Sequence, residues 1–68
     1  MITITALAQE LGATVQDIEA LVGQLIGIDG HEAVVAQETP IYNGSGRLIG
    51  YEVALTDEAA EVIREHLA

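Results

Sequence analysis

The run Leu7-Ala8-Gln9-Glu10-Leu11-Gly12-Ala13-Thr14-Val15-Gln16-Asp17-Ile18-Glu19-Ala20-Leu21-Val22 constrains the fold more than any other stretch. Leu7, Leu11, Val15, Ile18, Leu21, Val22 and Leu25 recur at spacings of three or four, which gives two helical segments one apolar stripe each. Gly12 sits between the segments, where a left-handed conformation ends a helix, and Thr14 follows as a good N-cap. Asp17, three residues on, completes the capping-box spacing with an aspartate in place of the usual Glu or Gln. Two short helices meeting at a tight turn are therefore expected.

The flanks are read from the same rules. Met1-Ile2-Thr3-Ile4 alternates apolar with polar, as a short edge strand or an extended lead-in does, and Thr3 or Thr5 can cap the first helix. The second helix is expected from Val15 to about Ile26, with Gly27 at C′ and Ile28 folding back on the last turn. From Glu32 to Leu55 the apolar period becomes two, interrupted by Asn43-Gly44-Ser45-Gly46, so a long hairpin is predicted. A turn on Gly44-Ser45 sets Val34 opposite Leu55, Ala36 opposite Val53, Glu38 opposite Tyr51 and Ile41 opposite Leu48. Pro40 cannot donate to a ladder, which makes its strand an edge or a bulged one. Thr56-Asp57-Glu58 opens a last helix that closes with Arg64 and His66, each charge on the end the helix dipole favours.

Charge narrows the partners. Eleven acidic residues stand against Arg47 and Arg64 with no lysine, a formal net charge of -9, so the surface repels phosphate and favours basic partners. There is no cysteine, hence no disulfide, thiolate nucleophile or cysteine-based zinc site, and a cytoplasmic setting is the expectation. No apolar run approaches the ~18 residues of a membrane span. At 68 residues one small domain is expected, burying roughly 60% of its unfolded surface, with stability modest or shared in a homodimer.

Ala8, Gly12 and Ile18, flanked by Leu7, Leu11 and Leu21, resemble the helix-turn-helix motif of small bacterial and phage regulators, with an excisionase-like or MerR-like start. With the hairpin as a wing, the resemblance implies an α+β, winged-helix-like domain over residues 1–68: helix-turn-helix 5–26, hairpin 32–55 and C-terminal helix 57–67. It also implies that the second helix presents Gln16, Asp17, Glu19, Ala20 and Gly23 to the partner, with Arg47 in the wing. In such a setting Gln16 reads adenine and Glu19 accepts from cytosine. The departure is in the chemistry: nothing on that helix is positive, whereas DNA affinity rests largely on Arg and Lys contacts to phosphate.

Two functions follow as expectations. The first is an acidic regulatory module that binds a protein, occupying a nucleic-acid-binding surface in DNA's place, with Ile41 and Leu48 as an adhesive patch near the wing tip. The alternative is a dimeric, sequence-specific DNA-binding regulator using Gln16, Glu19 and Arg47. Catalysis is not expected. Ser45 lies between glycines without a nucleophile elbow, and Glu61 and Glu65 are one turn apart on a helix without a cleft to separate their pKa values. No cofactor or metal site is expected either, since His31 and His66 are the sole histidines and fall on different elements.

Overall fold

A computed structural model describes residues 1–67; Ala68, the last residue of the expected domain, lies outside them. The chain opens with a two-residue strand β1 (Ile2–Thr3), followed by α1 (Ile4–Leu11), α2 (Val15–Asp29) and a single helical turn α3 (His31–Val34). A hairpin of β2 (Val35–Tyr42) and β3 (Leu48–Leu55) leads into α4 (Asp57–Leu67). The three strands form one antiparallel sheet in the order β1-β3-β2, so the fold is α+β with the helices gathered at one end of the hairpin.

Local chemistry places the first two helices. Thr3, not Thr5, caps α1, its hydroxyl accepting from the Ala6 N–H at 3.1 Å. Gly12 takes φ +65, and its own N–H and that of Ala13 close the orphan carbonyls of the last turn. The Thr14 hydroxyl then accepts from the Asp17 N–H at 3.1 Å while the Asp17 carboxylate accepts from the Thr14 N–H at 3.4 Å, a complete capping box.

The core takes one fully buried side chain from each of five elements: Leu7 of α1, Ile18 of α2, Val34 of α3, Leu55 of β3 and Ile63 of α4. Each such burial contributes about 1.5–3 kcal/mol. No described polar or charged residue is buried. β2 supplies none of these five, and every residue of it after Val35 is exposed, so the outer hairpin stands clear of the helices in a molecule 39 Å in its longest dimension.

Three expectations are corrected. The second helix does not stop at Ile26 or turn back through Gly27; it runs on to Asp29 and ends at Gly30, whose φ of +91 only glycine adopts at little cost. Ile28 therefore stays on the helix surface. The hairpin does not begin at residue 32, because 31–34 form the helical turn α3, and its strands begin at Val35.

The register is also displaced. Glu38 faces Val53, Pro40 faces Tyr51 and Ile41 faces Gly50, two residues away from the expected pairing, and Leu48 sits opposite Tyr42 instead of Ile41. The loop displaces the register by one residue, and the irregularity between Ile41 and Tyr42 adds the second. Asn43 Oδ1 accepts from the Ser45 and Arg47 N–H groups, both at 3.0 Å, and from the Ser45 hydroxyl at 2.8 Å, making residues 43–47 one closed turn. Gly46 supplies its single positive φ, +80. Between residues 37 and 41 the displacement of two keeps Glu38 and Pro40 on the face of Val53 and Tyr51, whereas at the two register shifts it falls to one, so that Val35 stands opposite Leu55 in place of the expected Val34 and Tyr42 stands opposite Leu48. β2 is an edge strand, as Pro40 requires.

Candidate functional site

Between α2 and the hairpin lies an open groove of about 340 Å³. Its helix wall is Val15, Glu19, Val22, Gly23 and Ile26, residues spaced three or four apart along one side of α2. The opposite wall comes from the sheet, where Glu38 and Val53 are cross-strand partners and Tyr51 follows on the same face of β3. Leu55, Val53 and Tyr51 thus carry one side of β3 from the buried core outward, Tyr51 reaching 55% exposure where the helices no longer cover it. The groove is the place where the core-facing side of the hairpin outruns its helical cover.

Its electrostatics are one-sided. Glu19, Glu38 and Glu52 line it, and the single group of opposite tendency is His31, whose Nε2 lies 3.0 Å from Glu38 Oε1. That contact ties α3 to β2 across the groove mouth. Both side chains are well exposed, so the pairing positions more than it stabilises. The two arginines lie elsewhere. Arg64 of α4 holds Glu10 of α1, and among the described residues Arg47, in the hairpin loop, has no ion-pair partner.

The groove gathers part of what the sequence singled out. Glu19 and Gly23 line it, and Gln16 and Ala20 are exposed on the same helix. Asp17 is exposed too, but its carboxylate is engaged by the cap of its own helix. Ile41, Arg47 and Leu48 belong to the far half of the hairpin and are not part of the groove. Ile41 (38% exposed) and Leu48 (45%) are not opposite each other, so they do not make the facing pair expected of them.

Residues not anticipated as a site are Glu38, Glu52, Tyr51 and His31. A signal for the first was present: Glu38 interrupts an otherwise apolar face that includes Val53 and Leu55, and a carboxylate in such a position marks the end of the buried zone. No group of three or more His, Cys, Asp or Glu among the described residues is placed to hold a metal. No helix among them is long and apolar enough to cross a membrane. Comparison of the chain with protein-family models, with curated proteins and with solved structures gives no match.

Proposed function

We propose that this protein is a small acidic regulatory module of winged-helix-like build whose groove between α2 and the hairpin receives a basic, partly aliphatic segment of a protein partner. The carrying observation is the groove itself: an apolar floor of Val15, Val22, Ile26 and Val53 with Glu19, Glu38 and Glu52 on its sides. At about 340 Å³ it lies at the small end of ligand-sized clefts, which span ~300–1,000 Å³. Magnitudes assign the roles. An aliphatic side chain buried on the floor gains about 1.5–3 kcal/mol, whereas an exposed ion pair gains at most about 1 kcal/mol. The apolar floor then supplies the affinity, and the carboxylates select a cationic partner and speed its approach.

A partner surface that meets these carboxylates would be one that otherwise meets phosphate, which is the sense in which the module stands in for DNA. The alternative of direct DNA reading draws on the α1–turn–α2 geometry, with its left-handed Gly12 and its N-cap Thr14. Against it stands the electrostatics of α2, whose exposed side carries Asp17 and Glu19 and no cation.

The experiment is an NMR titration of the labelled protein with a short peptide alternating leucine and arginine, and with its counterpart carrying glutamate for arginine. The basic peptide is expected to shift the amides of Glu19, Gly23 and Tyr51, more weakly as sodium chloride is raised, and to lose the effect in E19K/E38K. Equal response to both peptides sinks the proposal. Retention of DNA fragments at low salt, lost on Gln16→Ala, would establish the alternative.

A further inference from the structure

The sheet is cut short on one side of β3. β1 covers only Ala54 and Leu55, because Thr3 leaves the strand to cap α1. Before Ala54, β3 is bordered by β2 on one side and, among the described residues, by no strand on the other. The Thr56 N–H donates to the Val34 carbonyl, on the β2 side, so Leu55 turns its own N–H and C=O toward β1. Alternation along the strand aims the main-chain groups of Val53 and then Tyr51 the same way, and at Tyr51 β1 has already ended. Pro40 agrees with this. It stands opposite Tyr51 and has no N–H to donate, as suits a pair that exchanges no hydrogen bonds and leaves Tyr51 facing outward.

The groove reaches this open edge. Ile4 and Thr5, where the chain turns away into α1, line it together with Tyr51, Glu52 and Val53, residues from both faces of β3. One place therefore combines a free main-chain donor and acceptor, the apolar face of Tyr51 and Val53, and a carboxylate on the opposite face.

We infer that the basic, partly aliphatic segment binds as a β-strand, antiparallel to β3 and in the line of β1, exchanging main-chain hydrogen bonds with Tyr51. This rests on the groove reading above and adds the conformation its partner adopts. The open edge asks for an extended main chain, which a helix cannot offer because its own N–H and C=O groups are already paired. Side-chain alternation supplies the rest. A residue opposite Tyr51 shares its face, so an alternating aliphatic and cationic segment lays its aliphatic side chains over Val53 and Val22 and its cations on the side of Glu52. A second copy of this chain does not meet these needs. The outer edge of its own sheet is β2, which has no N–H at Pro40, carries Glu38 and contains no cation.

The test is a titration with the leucine–arginine peptide in three forms: unmodified, N-methylated on its leucines, and N-methylated on its arginines. In the inferred strand the leucines oppose Tyr51, so their N–H groups point at β3 and those of the arginines point away. Methylated leucines should weaken binding at least about tenfold, and methylated arginines by less than about threefold. In the complex with the unmodified peptide, hydrogen exchange of the Tyr51 amide should slow at least about tenfold, while that of Glu38, on the outer edge of β2, stays unchanged. Slowing at Glu38 instead of Tyr51 overturns the inference by placing the peptide on β2. Equal effects of the two methylations also overturn it, but leave the groove reading standing if the unmodified peptide still binds in preference to its glutamate counterpart and is lost in E19K/E38K. Absence of that preference overturns both.

Discussion

Arg64 of α4 grips Glu10 of α1 with two parallel hydrogen bonds, Nε to Oε2 at 2.6 Å and Nη2 to Oε1 at 3.1 Å, across 54 positions of sequence. The forked geometry is the stronger form of an arginine–carboxylate pair. It closes the C-terminal helix onto the first helix, and it removes one of the chain's two arginines from any role in gripping an anion. The hydrogen bonds from Arg64 hold the Glu10 carboxyl below its ordinary 4.5, and those to Glu10 raise the guanidinium in turn. A hydrogen bond donated by the Met1 ammonium, 2.8 Å away, lowers Asp57 likewise.

The pH dependence follows from that pair. Glu10 binds its proton less readily in the folded chain than in the unfolded one, so its contribution to stability is complete above the unfolded value near 4.5 and is lost as pH falls through the lower, folded value. Asp57 acts in the same direction. Urea midpoints measured at neutral pH and at successively lower pH should fall for the wild type, and fall less for Glu10→Gln, which has no proton to take up there.

The three glycines of α2 and its end should respond in opposite ways. A Cβ added at Gly23 or Gly27 meets nothing within 4 Å, so Gly→Ala at either removes a helix-interior glycine and should stabilise the chain by about 1 kcal/mol. Gly30 also has open space around it, but its φ is +91, and alanine there should cost about 1–2 kcal/mol. Chemical denaturation of the three variants checks the signs; a stabilising Gly30→Ala would contradict the backbone argument.

Thr56 is the joint of the sheet with α3 and α4. Its hydroxyl donates to the Ala33 carbonyl at 2.8 Å and accepts from the Ala59 N–H at 3.2 Å, while its own N–H donates to the Val34 carbonyl at 2.9 Å. Thr56→Val keeps the shape and the backbone bond but loses both hydroxyl bonds, so a loss of about 1–2 kcal/mol is expected. Thr56→Ser should restore most of it.

These effects divide along the same line as the legibility of the fold. Thr14 with Asp17, Gly12, and Thr56 as the cap of α4 act on neighbours within a few residues and are readable from spacing alone, whereas the bonds from Thr56 to Ala33 and Val34 are long-range and are not. The hairpin register was not, because it turns on whether Asn43 or Gly44 opens the loop, and Asn43 Oδ1 decides that by collecting three donors at once. The end of α2 is ambiguous in the sequence for a related reason. Gly27 and Gly30 are both permissive, and the choice falls on the one followed by the α3 turn, whose Val34 enters the core. As for the groove, Glu19 and Gly23 were visible on the helix side, but Glu38 and Tyr51 join them only through long-range packing of the sheet.

Pro40 stands opposite Tyr51 on the free edge of the sheet, in a strand whose residues after Val35 are all exposed. An edge of eight residues bearing Ile41 and Tyr42 invites pairing with another chain, and a residue without an N–H interrupts that template near its middle. Pro40→Val should leave the monomer folded, since the proline's missing donor faces no ladder partner the fold depends on, yet it completes a run of β-formers along the edge. We expect accelerated formation of β-rich aggregates, followed by thioflavin fluorescence at concentrations where the wild type remains clear. Because such assembly proceeds through the hairpin edge, Ile28→Glu on the far side of α2 should not suppress it. Equal aggregation of wild type and P40V would show that the edge is protected by something other than the proline, the two sheet bulges at Val35/Gln37 and Ile41/Tyr42 being the next devices to remove.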